Sequence, residues 1–302
     1  MNYKKIIPSQ NIRFGILKIL SFLPDRVMLG LQYYIKMGRK CNFNKPKTWT
    51  EKLQLYKIYY RNPILGICVD KYNVRQYVTN CGLKDILVDL YGIFLNAEDI
   101  NLDKLPKSFV VKTTDGGGGN NIILVKDKFV LDRDAFTRQL NSWLNIKDIN
   151  AGREWAYTQI AKSQIIVEKL LVNDTCPEAG IEDFKFLCFH GEPKYIVVDK
   201  DRYIKHKRNI YDVDWRKIDV STDHEQFEED YKKPENLSRM IEIARILSQD
   251  FPFVRVDLYN IHGKIYFGEL TFYPWSGYVK FNPFEFDEKL GQLLDEETFK
   301  QY

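Results

Sequence analysis

The sequence predicts an α+β protein: a mainly helical N-terminal region, residues 1–85, followed by strands that pair through hairpins rather than βαβ crossovers. Three observations carry this prediction. Apolar residues recur at helical spacing through residues 1–85, with frequent Lys and Arg between them. Beyond them come β-branched runs broken by glycine-containing turns. The 302 residues are 44% hydrophobic, enough for more than one core, and 28% charged with both signs interspersed, as in a folded chain.

Taken in order, Thr50 ahead of Glu51-Lys52-Leu53-Gln54-Leu55 reads as a helix start, and Asp70 to Val78 as a helix ending near Gly82. Ser108 to Thr114 reads as a strand, four glycines follow, and Asn121 to Lys126 is a second strand. Asp132 to Trp143 has a helical pattern, and Gln164 to Val172 reads as a buried strand that closes a unit over residues 86–172. In residues 173–302, Phe184 to His190 and Tyr195 to Asp199 flank a turn at His190-Gly191-Glu192-Pro193. Pro234 to Leu247 is an amphipathic helix. Phe253 to Asn260 and Lys264 to Thr271 form a last hairpin around His262-Gly263.

Composition excludes several classes. The five cysteines form no CxxC pair, which argues against a zinc knuckle or disulfide framework and for a reducing compartment. The four histidines are scattered, with no HExxH. The net charge of +4 suits anionic small substrates and does not call for nucleic acid. The apolar stretch Ile12 to Leu23 is broken by Arg13 and Lys18 and stopped by Pro24-Asp25-Arg26, so it is too short and too charged to span a bilayer. A helix packed on the body of the protein is favoured there over one lying on a membrane surface. The expected location is the cytoplasm, with room for peripheral attachment at the inner membrane face.

Three segments carry chemistry. Lys112-Thr113-Thr114-Asp115 leads into Gly116, Gly117, Gly118 and Gly119, where backbone N–H groups can approach phosphates without Cβ clashes. No GK[ST] follows, and a strand rather than a helix succeeds the glycines, so this is neither a Walker A loop nor a dinucleotide fingerprint; a plain flexible hairpin is the alternative. Glu168-Lys169-Leu170-Leu171 ends an apolar strand whose main chain can recognise a purine edge, or it is ordinary core. Arg255-Val256-Asp257 and Gly268-Glu269-Leu270-Thr271 place two carboxylates on neighbouring strands, a pair suited to Mg²⁺ or to solvent. Their geometry depends on the turn. A loop with Ile261 and Gly263 straddling His262 sets Arg255 opposite Glu269 with Asp257 diagonal to it on the same face. A two-residue loop at His262-Gly263 sets the carboxylates on opposite faces.

In this order the three segments resemble the ATP-grasp superfamily. Lys112 with its glycine loop is similar to the phosphate lid of biotin carboxylase, Glu168 to Leu171 to the adenine hinge, and Asp257 with Glu269 to the magnesium carboxylates of D-alanine:D-alanine ligase. Thr50 to Gln54, Asp70 to Arg75, Phe184 to Phe189, Asp199 to Arg202 and Phe267 to Pro274 are similar to the TupA-like branch, associated with teichuronopeptide and capsular polysaccharide synthesis, over residues 45 to 295.

The resemblance implies an ATP-grasp fold in which residues 86–172 form a small lid subdomain and residues 173–302 a large subdomain with the metal site. It implies ATP and Mg²⁺ as cofactors. Lys71 and Lys112 would contact the α- and β-phosphates, and Gly116 to Gly119 would cover the β- and γ-phosphates. Glu168, Lys169 and Leu170 would form the adenine site, with Asp183 near the ribose or phosphates. Lys185, Arg202 and Arg255 would hold the transferred phosphoryl group, and Asp257, Glu269 and Thr271 the metal. Thr271 departs from the superfamily, which usually has Asn there.

The implied activity is a carboxylate–amine ligase acting through an acyl phosphate, joining an amino acid or small amine to a uronic acid. A sugar kinase and a non-catalytic nucleotide-binding subunit are the competing readings. The basic run Lys200 to Arg208 reads as a solvated loop apart from Arg202. Tyr273-Pro274-Trp275-Ser276-Gly277-Tyr278 offers an aromatic face for an acceptor, or core packing.

Overall fold

The computed structural model describes residues 15, 17, 19–117, 121–145, 152–174, 176–228 and 231–300. Two antiparallel sheets and a set of helices make an α+β architecture. The helices of the first part are α1 (Asp25–Met37), α2 (Trp49–Tyr59), α3 (Ile64–Val69) and α4 (Val74–Asn80). The start of α2 lies slightly before the expected one. Thr48 rather than Thr50 caps it, its hydroxyl accepting from Glu51 N while Glu51 Oε2 accepts from Thr48 N. Thr50 is engaged elsewhere, its N–H and hydroxyl donating to Asp287 at 3.0 and 2.6 Å. Asp70 is likewise a turn residue ahead of α4, its carboxylate accepting from the N–H groups of Tyr72 and Asn73. Gly82, at φ +77°, takes the left-handed position after α4.

A four-stranded sheet follows. It contains β1 (Leu90–Phe94), β2 (Phe109–Thr113), β3 (Ile122–Val125) and β4 (Ile165–Glu168) in the order β1-β4-β2-β3. Alternation puts Phe109 and Val111 of β2, with Ile165 and Val167 of β4, on one face against Phe136 and Leu140 of α5 (Arg133–Leu144). Val110, Lys112, Ile166 and Glu168 take the other face. The strand expected to run to Val172 stops at Glu168. Both of its ladders end there, at Leu90 on β1 and Val110 on β2, so no partner continues it.

The larger sheet holds β5 (Asp183–Phe189), β6 (Glu192–Lys200), β7 (Lys207–Asp212), β8 (Lys217–Ile218), β9 (Phe253–Ile261) and β10 (Lys264–Thr271), in the order β10-β9-β5-β6-β7-β8. Both predicted hairpins are present, and both turn on His-Gly. His190 and Gly191 have φ +50° and +78°, and His262 and Gly263 have +49° and +78°. Two successive left-handed residues match the twist of the flanking strands. Pro193, expected in the first turn, lies within β6 beside a register shift.

Phe184, Phe186, Val254, Val256 and Leu258 share a core with Met240, Ile243, Ala244 and Leu247 of α7 (Leu237–Ser248), which follows α6 (Trp155–Thr158) in the helix series. Helices α2, α3 and α4 belong to this same core. Trp49 meets Phe253 edge-on at 5.4 Å between ring centroids, and Tyr56 meets Phe299 at 5.3 Å. Farther toward the N-terminus, the described part of the apolar stretch is mixed: Leu17, Leu20 and Leu23 are half-buried, whereas Ile19 and Phe22 are 73% and 77% exposed.

The last helix, α8 (Glu285–Leu293), closes onto the capping turn of α2 at Gly291, where an added Cβ would lie 2.1 Å from the Lys47 carbonyl oxygen. Backbone on both sides leaves no flexible neighbour to yield. Gly291→Ala is expected to cost at least about 1–3 kcal/mol, the usual penalty of overpacking. Urea unfolding checks this, read as a lower midpoint at unchanged slope.

Candidate active site

The six-stranded sheet has a polar face because β alternation sends positions 183, 185, 199, 208, 255, 257 and 269 to one side. The hairpin that carries the two carboxylates turns on two residues, Ile261 pairing with Lys264. That loop alone would place Glu269 and Asp257 on opposite faces. A bulge at Gly268 inserts one extra residue after the Leu258–Phe267 pair, and Glu269 then pairs directly with Asp257. Only a very small residue fits there, since a Cβ on Gly268 would approach the Asp257 carbonyl oxygen to 2.9 Å.

Arg255 ties this corner together. Its Nε and Nη2 donate to Asp257 at 2.6 and 2.7 Å, and Nη2 also reaches Glu269 and Thr271 Oγ1, each at 3.1 Å. The Thr271 hydroxyl donates to Glu269 at 2.9 Å. Lys185 donates to Asp257 at 3.1 Å and to Asp183, and it lies 3.7 Å from Asp199. Arg202 donates to Asp183 at 3.0 Å. Asp183, Lys185, Arg202, Arg255, Asp257, Glu269 and Thr271, all expected from sequence, thus form one network.

Electrostatics divide the carboxylates. Enclosure raises Glu269, but Arg255, Lys71 and Lys185 outweigh it and hold the group down to about 2. Its side chain is still 42% exposed toward the cleft. Burial lifts Asp257 to about 6 against the pull of Arg255 and Lys185, with Asp183 and Glu269 adding to the rise. Desolvation also depresses the Lys71 ammonium.

Lys71 sits across the cleft from this corner. Its amine donates to the Gly116 carbonyl, and its N–H to the Thr114 carbonyl at 2.9 Å. Lys71, Gly116, Tyr157, Gly268 and Glu269 line one small cavity, so the start of the glycine loop shares a cavity with Glu269 of the carboxylate pair. Gly117 follows in the loop, while Gly118 and Gly119 lie outside the described residues. On the four-stranded sheet, Lys112 pairs with Glu168 at 3.0 Å, and Arg75 of α4 reaches the other oxygen of Glu168 at 2.9 Å. The Lys169 N–H is taken by the Asp89 carbonyl at 2.9 Å, and its amine lies 3.6 Å from the Asp89 carboxylate. Leu170 next to it is half-buried.

Sequence reading missed three members of the cluster. Arg208, taken as part of a solvated run, is buried on β7; its Nε donates to Asp199 at 2.6 Å and its Nη1 to Asp223 at 2.8 Å. Asp199 is held well below the usual carboxylate range by His206, Lys185 and Arg208 despite its burial. Arg75 was noted only as part of a motif. The available signal for Arg208 was the alternation of β7, which pairs it opposite Asp199. Trp275 stands beside the network, its ring centroid 5.0 Å from the Arg208 guanidinium and 5.6 Å from that of Arg255. Trp275 and Ser276 both hold left-handed backbone, at φ +50° and +54°. The fully buried Lys57 anchors them by donating to Ser276 O and Oγ at 2.9 and 3.0 Å.

Two antiparallel sheets, with the glycine loop and Glu269 lining one cavity, fit an ATP-grasp fold, and the family match agrees. The chain belongs to the TupA-like ATPgrasp family, whose model matches residues 51–295. Among solved structures it is similar to D-alanine–D-alanine ligase from Bacillus anthracis, at 21% identity over 74% of this chain and 65% of that one, with a TM-score of 0.43. It is also similar to L-amino acid ligase from Bacillus licheniformis, at 16% identity over 77% and 50% of the two chains, with a TM-score of 0.47. The chain therefore spans less than two thirds of the length of either ligase. No curated protein shows significant sequence similarity to it.

The bulge gives a direct test of the site's geometry. Gly268→Ala must push β10 away from the Asp257 carbonyl, and a loss of about 1–3 kcal/mol in chemical denaturation is expected.

Proposed function

We propose that this protein is an ATP-dependent carboxylate–amine ligase that forms an amide through an acyl phosphate. The observation that carries the reading is the direct pairing of Asp257 with Glu269, which shares a cavity with Gly116 of the glycine loop, with Lys185 and Arg255 beside the pair. Two carboxylates on adjacent strands fit Mg²⁺, which takes oxygen ligands, keeps several waters and shares its remaining positions with nucleotide phosphates. Asp257 and Glu269 would hold the ion, with Thr271 orienting Glu269 through its hydroxyl. Bound there, Mg²⁺ would neutralise charge on the transferring phosphoryl group.

The chain's own residues then divide the work. Lys71 and Lys112 approach the nucleotide phosphates from the helical and four-stranded sides, and the backbone of Gly116 to Gly119 covers them. Adenine lies against Val110 and Ile166, near Glu168 and Leu170; the Lys169 N–H is engaged with Asp89, which leaves its carbonyl for the base. Asp183 faces the ribose or phosphates, and Lys185, Arg202 and Arg255 hold the γ-phosphoryl group.

A substrate carboxylate oxygen attacks the γ-phosphorus in line, the bond to the bridging oxygen breaks, and ADP leaves. The amine nitrogen attacks the acyl carbon, phosphate departs, and the amine gives up its proton. Water would destroy the acyl phosphate, so the glycine loop serves as the lid.

Membership in the TupA-like family supports a uronic acid as the carboxylate and an amino acid or small amine as its partner, in surface polysaccharide synthesis. The five free thiols fit a reducing compartment, and we place the reaction in the cytoplasm.

The test is ADP release with Mg²⁺, a panel of uronic acids and nucleotide-sugar uronates, and mixed amino acids, with mass detection of products. The reading predicts turnover that needs both a carboxylate and an amine, and a product lighter than their sum by one water. A phosphorylated product formed without amine would make the protein a kinase. Asp257→Asn is expected to lower turnover by about 100-fold or more while the melting transition persists; near-normal turnover in that variant contradicts the metal assignment.

A further inference from the structure

We propose that Tyr157 is a further phosphate-contacting residue of the cleft, its hydroxyl donating to the terminal phosphoryl group of ATP. The inference rests on the nucleotide placement proposed above and adds a residue that lies outside all three chemistry-bearing segments. Tyr157 lines the same cavity as Lys71, Gly116, Gly268 and Glu269. A Cβ built on Gly117 would lie 3.9 Å from its hydroxyl oxygen, so the phenol end points at the glycine loop.

The local fold explains how the side chain reaches that spot. Tyr157 lies on α6, which precedes β4 in the chain yet packs with the six-stranded sheet: Ala156 is buried in the larger core, and the Tyr157 ring is packed against it. Gly66 of α3 permits this close approach, since a Cβ there would lie 2.6 Å from Gln159 Cβ. At the other end of α6, Glu154 accepts from the Ser276 hydroxyl and lies 3.8 Å from the buried Lys57 amine. Tyr157 is thus anchored on the carboxylate side while its hydroxyl reaches the loop of the four-stranded sheet.

Chemistry selects the ligand. Among the described residues this hydroxyl has no hydrogen-bond partner, whereas an enclosed tyrosine hydroxyl usually has one. Burial, with Glu154 and Glu269 adding to it, raises the phenol well above its ordinary value, so it stays protonated at neutral pH. A neutral O–H is no base for the amine, but it is a good donor to an oxygen anion. Glu269, read as a metal carboxylate, marks the end of the cleft where the metal bridges to the transferring phosphoryl group. An oxygen of that group, between the glycine loop and Glu269, is the acceptor that Tyr157 lacks.

The experiment is titration calorimetry of Tyr157→Phe beside the wild type, with Mg²⁺ and either a non-hydrolysable ATP analogue or ADP, together with thermal melting without nucleotide. Loss of a hydrogen bond to a charged oxygen is expected to weaken the ATP analogue about tenfold or more and to leave ADP within about twofold. Removing a hydroxyl that has no protein partner should leave the melting transition where it was. The inference is overturned if both nucleotides keep their affinity or if ADP weakens as much as the analogue. It is also overturned if the variant melts several degrees lower, because the hydroxyl then serves the fold. A wild type that binds neither nucleotide contradicts the ligase reading as well. A wild type that prefers the analogue, with the preference kept in Tyr157→Phe, overturns this inference alone.

Discussion

Charge balance across one face of the six-stranded sheet is the constraint on which the cleft depends. Asp183, Asp199, Asp257 and Glu269 face Lys185, Arg202, Arg208 and Arg255 over neighbouring strands, with most of these groups buried. An isolated buried charge would be too costly to keep, so each group persists only because strand register brings an opposite charge within hydrogen-bond reach. Such a network gives little net stability over a well-packed apolar face. Its consequence is instead a fixed array of oxygens and cations on one face of the sheet.

The place of Glu269 in this array rests on one residue. Without the extra position at Gly268, the two-residue turn at His262-Gly263 would carry Glu269 to the apolar face, opposite Val256. The bulge brings Glu269 back to the polar face, where Gly268 and Glu269 line the cavity that Lys71 and Gly116 close. Behind the polar face, α7 and helices α2, α3 and α4 share a core with the sheet, so Lys71 and Arg75 at the cleft are positioned by the same packing that holds Asp257. The four-stranded sheet has its own smaller core around Phe109, Val111, Phe136 and Leu140.

Much of this was legible from residue order. Helical spacing and β-branched runs located both hairpins, the glycine loop and the amphipathic helix at residues 234–247, because local pattern decides these elements. Strand ends were less legible, since β4 stops where its neighbours run out, and that is a tertiary fact. The face of Glu269 could not be settled by counting, because a bulge leaves no mark in a period-two pattern beyond a glycine. Arg208 was hidden for a related reason: it sits in a run of charges, and only its pairing with Asp199 across β6 and β7 separates it from its solvated neighbours.

Titration calorimetry with a non-hydrolysable ATP analogue, in the presence and absence of Mg²⁺, tests the central claim most directly. If Asp257 and Glu269 hold the ion beneath the glycine loop, one analogue should bind per chain, with affinity that falls sharply when Mg²⁺ is withheld. Equal binding with and without Mg²⁺, or none in either condition, would contradict it.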